Sequence, residues 1–254
     1  MKDLARGSDG TRQTVILAAG NGARLNGSRP GVPKPLVDVA GRPMIEHALR
    51  QARVAGCNEA VVVVGCEADL MRRHLGGLDT SLRITVVHNP LFDQPNGVSL
   101  LAAESYAAER FFLQMADHVF ARPVLHLLDA PGAAPGDSVR LLIDYAPAGI
   151  DEDDATKVRV SDSLITAIGK RITPWDAVDA GCFRLDSRIF EALRQAGRVQ
   201  PPSVSAGMER LATTGHLAAV PLEGVRWTDV DTPEDLARAD TLLGKSRATP
   251  AGIV

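Results

Sequence analysis

The sequence predicts an α/β fold: a Rossmann-like, mixed and mainly parallel sheet flanked by helices, with a small antiparallel region in its second half. Three observations carry this. Ala60 to Val64 is a β-branched run with little alternation, which fits a central strand covered on both faces. Such runs take turns with segments whose apolar residues recur at helical spacing. Two of the expected strands end at Gly20 and Asp117, and open sheets of this kind bind ligands beyond the carboxyl ends of their strands.

Taken in order, Val15 to Ala19 reads as a buried first strand feeding a glycine loop, and Asn21 to Pro35 is too rich in proline and glycine to be regular. Met44, Ile45, Ala48, Leu49 and Ala52 give Pro43 to Gly56 a helical face, stopped by Gly56. After the strand Ala60 to Val64 come a short helix over Ala68 to Leu75 and a strand over Arg83 to Val87. A helix over Gly97 to Arg110 and a strand over Phe111 to Met115 follow. Ser138 to Tyr145 reads as a strand, and Ala155 to Val160 with Leu164 to Ile168 as a hairpin around Ser161-Asp162-Ser163. Gly181 to Leu185 is a strand, Ser187 to Ala196 a helix, and Leu217 to Pro221 a strand. Thr232-Pro233-Glu234-Asp235 is a helix start, with Thr as N-cap, Pro at the first position and acids in the first turn; that helix runs to about Leu243. The expected organisation is a leader over 1–13, one domain over 14–243 and a disordered tail over 244–254.

Composition limits the function classes. The net charge is −3, so nothing global recruits nucleic acid or an acidic membrane. An enzyme acting on phosphates must concentrate positive charge locally. The three cysteines, Cys57, Cys66 and Cys182, form no CxxC pair, which argues against a disulfide framework or a zinc site and for a reducing, cytoplasmic setting. No apolar run approaches the ~20 residues a bilayer requires. The N-terminus lacks the apolar core of a secretory signal.

The most specific motif is Leu17-Ala18-Ala19-Gly20-Asn21-Gly22-Ala23-Arg24-Leu25. Glycines after a strand let backbone N–H groups approach phosphate oxygens. The dinucleotide fingerprint fails, because Leu25 stands at its third glycine, and no Walker A pattern occurs. What remains is GxGxR followed by Lys34-Pro35-Leu36, with Arg24, Arg29 and Lys34 in one loop and no acid between Gly20 and Leu36. Such a loop suits a triphosphate, stabilising charge on the α-phosphorus and on departing pyrophosphate. Taken alone, the two glycines also fit an ordinary strand-to-helix turn.

The full string L-A-A-G-x-G-x-R…K-P-L resembles the signature of the sugar-nucleotidyltransferase superfamily, the group of MobA-like enzymes and sugar-1-phosphate pyrophosphorylases. The resemblance covers roughly residues 14–243. It implies that Leu17, Ala18, Ala19, Gly20 and Gly22 cradle the nucleotide, and that Arg24 and Lys34 contact the triphosphate. It also implies Mg²⁺ on Asp117 of Gln114-Met115-Ala116-Asp117-His118 and on a late carboxylate from Trp227-Thr228-Asp229-Val230-Asp231. Asp229 matches the family position best; Asp231 is an extra acid, so either or both serve, and Asp231 also fits a support for the helix start at Thr232. His118 is expected to be structural, since a phosphate nucleophile needs no base. Asn96, Gly97 and Ser99 are the candidates for reading base and ribose; an Asn-Gly turn with Ser99 as helix cap is the plain alternative.

Ala167-Ile168-Gly169-Lys170 and Asp179-Ala180-Gly181-Cys182-Phe183 are similar to segments of the cytidylyltransferases that make CDP-inositol from CTP and inositol 1-phosphate. That similarity implies CMP transfer with release of pyrophosphate, in phospholipid biosynthesis. Lys170 would hold the acceptor phosphate, and Asp179, with Gly181, would meet the ring hydroxyls. A separate membrane CDP-alcohol phosphatidyltransferase would be the functional partner. Phosphocholine or a hexose 1-phosphate as acceptor, UTP or GTP as donor, and a silent nucleotide-sensing subunit are the competing expectations.

Overall fold

The computed structural model describes residues 12–26, 31–130, 139–149 and 151–244. The leader, Arg29 and all of the tail beyond Gly244 therefore lie outside the described residues, apart from Arg12 and Gln13 of the leader.

The first strand, β1 (Gln13–Ala18), opens the sheet and is buried throughout. It leads through the short α1 (Ala23–Asn26) and a single 3₁₀ turn at Lys34–Leu36 to a small ribbon, β2 (Asp38–Val39) with β3 (Arg42–Pro43). Next come α2 (Met44–Val54), β4 (Glu59–Val64), α3 (Ala68–Gly76) and β5 (Arg83–His88). The expected apolar face of α2 is buried: Met44, Ile45, Ala48, Leu49 and Ala52 all lie within it. In β4 successive side chains serve opposite layers. Val61 and Val63 enter one core cluster, and Ala60, Val62 and Val64 the other. Each such buried valine contributes roughly 1.5–3 kcal/mol relative to exposure.

The helix expected over Gly97 to Arg110 is shorter. α4 (Asn96–Ala102) stops early and gives way to one 3₁₀ turn, Glu104–Tyr106, before β6 (Arg110–Met115). The buried Gln13 explains this. Its amide donates to the Tyr106 carbonyl at 3.1 Å, and its oxygen accepts from the Ala108 N–H at 2.7 Å. Backbone groups that a longer helix would satisfy are satisfied by a side chain of β1 instead.

Three more strands follow before the hairpin closes: β7 (His118–Phe120), β8 (Val139–Asp144) and β9 (Lys157–Ser161). Then come β10 (Leu164–Gly169), β11 (Ala177–Asp186), α5 (Arg188–Ala196), α6 (Val204–Thr213), β12 (Leu217–Pro221), β13 (Trp227–Asp229) and α7 (Pro233–Leu243). α6 is not among the expected elements, although Ser203 caps it by accepting from the Ala206 N–H at 3.1 Å. Its apolar face, Val204, Met208, Leu211 and Ala212, has helical spacing.

The nine-stranded sheet has the order β5-β4-β1-β6-β11-β8-β12-β10-β9. β5, β4, β1 and β6 are mutually parallel, β11 runs against β6 and β8, and β12 lies parallel to β8. The β9–β10 hairpin is antiparallel and its outer strand also pairs with the start of β11, so this end of the sheet curls back on itself. β1 is the switch point, with β4 on one side and β6 on the other, which leaves a crevice beyond Ala18 and Met115. The three cysteines are unpaired, and no helix among the described residues is long and apolar enough to cross a membrane.

Candidate active site

The crevice is closed by a two-stranded ribbon. β7 and β13 pair antiparallel with Asp229 opposite His118, and the Val230 N–H donates to the Asp117 carbonyl at 3.0 Å. Two acids distant in the chain are thereby held on one short ribbon. α7 fixes the following turn: Thr232 accepts from the Asp235 N–H at 3.2 Å, and the Asp235 carboxylate accepts from the N–H groups of Asp231 and Thr232 at 3.0 and 2.7 Å. This reciprocal cap confirms the expected helix start. Asp235 is the residue that supports it, which leaves the Asp231 side chain free to face the site.

Into this corner reaches Lys34. Its Nζ lies 2.5 Å from Asp117 Oδ2 and 2.7 Å from Asp231 Oδ1, and the residue is buried. Burial alone would lower the ammonium pKa; the carboxylates of Asp117 and Asp231 outweigh it and hold the group above its ordinary value. For Asp117, burial pushes upward, but Lys34 and His118 overcome it and hold the carboxyl far below the usual range. Gly22 makes room for the lysine: its φ is +60°, and a Cβ there would stand 2.6 Å from Lys34 Cβ. Arg24 donates to Asp231 Oδ2 at 3.0 Å and to Asp154 Oδ2 at 3.2 Å. The cavity beside these groups measures about 280 Å³ and is lined by Leu17, Ala18, Gly20, Gly22, Arg24 and Lys34 among others. Ala19 is buried behind it, with its carbonyl accepting from the Cys66 N–H at 3.2 Å.

A second cavity of about 600 Å³ opens on the other side of Asp117, where Lys170, Asp179, Gly181 and Asn96 join its wall. Here β11 departs from regular pairing with β8 between Asp179 and Phe183. Gly181 sits at φ +72°, and its N–H donates to Asp179 Oδ1 at 2.7 Å. A Cβ at Gly181 would lie 2.4 Å from His118 Cδ2. The bulge therefore turns Asp179 toward the cavity and lets the imidazole pass. Burial raises the Asp179 carboxyl to about 6.

His118 is a buttress. Its Nδ1 lies 2.9 Å from Asp117 Oδ1, and its ring stacks on Trp227 with centroids 5.4 Å apart. Trp227 in turn donates from Nε1 to Asp144 Oδ2 at 2.9 Å. Burial would lower the imidazole pKa, and hydrogen bonding to Asp117 reverses this.

The three carboxylates differ in their partners. Both oxygens of Asp231 are engaged, by Lys34 and Arg24, and both of Asp117, by Lys34 and His118, whereas Asp229 has no ion pair with a lysine or arginine among the described residues. Its carboxyl is raised by burial and by the neighbouring Asp231 and Asp117. A carboxylate whose charge is disfavoured by burial and by like charges gains from a hard divalent cation, so Asp229 is the acid of the three best suited to take one. No three acidic or imidazole groups among the described residues close into an all-protein cage.

Not every expected residue lines the cavities. Gly97 and Ser99 are buried in the packing of α4. A Cβ at Gly97 would meet the Pro202 carbonyl oxygen at 2.4 Å, and the Ser99 hydroxyl accepts from Asn89 Nδ2 at 2.9 Å. Ser99 is not the helix cap; Pro95 precedes the helix, and Asn96 accepts from the Val204 N–H at 2.9 Å. Asp154 and Asp144 are not among the expected site residues; their partners lie on other elements and leave no trace in local spacing.

The model of the MobA-like NTP transferase domain matches residues 14–141. A bifunctional IPC transferase and DIPP synthase from Rubrobacter xylanophilus is 36% identical over 90% of this chain and 51% of its own. Its namesake from Thermococcus kodakarensis is 34% identical over 94% of this chain and 52% of its own. The chain thus spans about half the length of these relatives. The structure of the inositol-1-phosphate CTP transferase from T. maritima superposes with a TM-score of 0.82 at 25% identity, covering 93% of this chain and 96% of that one.

Proposed function

The chain belongs to the MobA-like NTP transferase family, and from that premise we propose that it transfers CMP from CTP to inositol 1-phosphate, giving CDP-inositol and pyrophosphate. The observation that carries the reading is that the two cavities share Arg24, Asp117 and Asp231 in their walls. A donor in the smaller one and an acceptor in the larger one would meet at those side chains.

In this reading Gly20, Gly22, Arg24 and Lys34 hold the triphosphate, and Lys170 holds the acceptor phosphate. Asp179 accepts from ring hydroxyls. An acceptor phosphate oxygen attacks the α-phosphorus in line. The new P–O bond forms as the bond to the β-phosphate oxygen breaks, and the electron pair leaves with pyrophosphate. Lys34 and Arg24 neutralise that charge, so most of the catalysis is positioning and electrostatics. Mg²⁺ held by Asp117 and Asp229 would neutralise phosphate charge when bound. No base is needed, which agrees with a His118 committed to Asp117 and Trp227. CDP-inositol would then be consumed by a CDP-alcohol phosphatidyltransferase.

The test is pyrophosphate release with CTP, UTP or GTP against inositol 1-phosphate, hexose 1-phosphates and phosphocholine. CTP with inositol 1-phosphate is expected to give the highest kcat/KM. Equal or faster turnover with a hexose 1-phosphate would reject the acceptor assignment. Tight triphosphate binding without turnover for any acceptor would reject catalysis.

A further inference from the structure

Asp154 sits in the segment between β8 and β9, on a turn held by Asp151. The Asp151 carboxylate accepts from the Asp153 N–H at 3.0 Å, and its carbonyl accepts from the N–H groups of Asp154 and Ala155 at 3.2 and 2.9 Å. Ala155 packs against the core, and the Thr156 carbonyl accepts from the Asp179 N–H at 2.8 Å. From this anchored base the Asp154 carboxylate reaches two cations. One oxygen accepts from Arg24 Nη1 at 3.2 Å, and the other accepts from Lys170. Arg24 comes from the glycine loop and Lys170 from beyond β10, and all three line the larger cavity.

One anion therefore bridges the cation assigned to the donor and the cation assigned to the acceptor. Lys170 and Arg24 together hold its carboxyl below the ordinary range, so it stays charged. An incoming phosphate that uses the same two cations must displace this carboxylate or suffer its repulsion. A ligand with further contacts can do so: an acceptor through its hydroxyls, a triphosphate through Lys34 and the glycine loop. A bare small anion has no such compensation.

We propose that Asp154 is a specificity-determining residue, a built-in anion that fills the place between Arg24 and Lys170 where donor and acceptor phosphates meet in the reacting complex, and so keeps unattached phosphate out. The proposal rests on the assignment of Arg24 and Lys170 as phosphate-holding groups given above.

The test is calorimetric titration of the full chain with inorganic phosphate, in the absence of metal and nucleotide. Asp154→Asn is expected to bind phosphate about fivefold more tightly than the parent, the order expected when two exposed ion pairs no longer compete. Asp154→Glu, which restores the charge, should bind close to the parent. The gain should vanish when Lys170→Gln is added. Unchanged or weaker binding by Asp154→Asn overturns the proposal, and so does a gain that survives Lys170→Gln. Asp154→Ser, at the same partly exposed position, answers the question if the asparagine variant folds poorly. The titration uses neither CTP nor inositol phosphate, so a parent protein that makes no CDP-inositol refutes the substrate reading and leaves this result to stand separately.

Discussion

The ammonium of Lys34 lies 2.5 Å from the carboxylate of Asp117 and so ties the glycine loop to the end of β6. The contact joins the cation assigned to the triphosphate and the acid assigned to the metal, across the crevice at the sheet's switch point. Asp231 shares the same ammonium at 2.7 Å.

Lys34→Met should lower kcat by about 10²–10³, the loss typical of one preorganised electrostatic donor. Steady-state pyrophosphate release with saturating substrates measures it. Turnover within threefold of the parent would remove Lys34 from the mechanism.

Asp229→Asn should have opposite effects with and without metal. The carboxyl is raised by burial and by Asp231 and Asp117, so its charge burdens the metal-free fold. The variant should melt at or above the parent Tm without metal, and its Tm should respond less to added Mg²⁺, because ligand binding stabilises the fold by an amount that grows with the logarithm of ligand concentration over Kd. Thermal melts across a Mg²⁺ series decide this. A parent-like response to the ion would exclude Asp229 as a ligand.

Asp179 makes stability depend on pH. Its carboxyl is raised from 3.8 to about 6, chiefly by burial. An acid that holds its proton more tightly when folded adds stability that is complete below its unfolded value and is lost as pH climbs through about 6. Asp179→Asn should therefore be more stable than the parent by on the order of 1–3 kcal/mol near neutrality, with the difference closing toward about pH 4. Urea unfolding at both pH values measures it. The same variant should raise the acceptor KM, since a hydroxyl-accepting carboxylate has become an amide.

Gly181→Ala should damage both stability and turnover. The residue has φ +72°, and the added Cβ would press on His118, the support of Asp117. The strain is of order 1–3 kcal/mol, which corresponds to a Tm lower by several degrees for a chain of this size. Melting and kcat should fall together. A parent-like kcat with a lowered Tm would show that His118 does not transmit the strain to Asp117.

Much of this molecule was legible in the residues themselves. Val61 and Val63 announced a strand covered on both faces, Met44 to Ala52 a helix with one apolar side, and Thr232-Pro233 a capped start, because each pattern depends on neighbours within a few positions. The spacing of Gly20, Gly22, Arg24 and Lys34 pointed to phosphate for the same reason. The early end of α4 was not legible, since it depends on the amide of Gln13 on another strand.

The sequence by itself determined the alternation of elements, the cationic glycine loop and the types of residue available for the chemistry, all of which follow from local stereochemistry and charge. Only the tertiary structure decided that Asp117 and Asp229 meet at one ribbon, that Asp231 is claimed by Lys34 and Arg24, that Gly97 lies against Pro202 and Ser99 against Asn89, and that Asp154 stands between Arg24 and Lys170. Those relationships depend on strand pairing and on buried contacts between distant segments, and one-dimensional spacing carries no measure of distance across a fold.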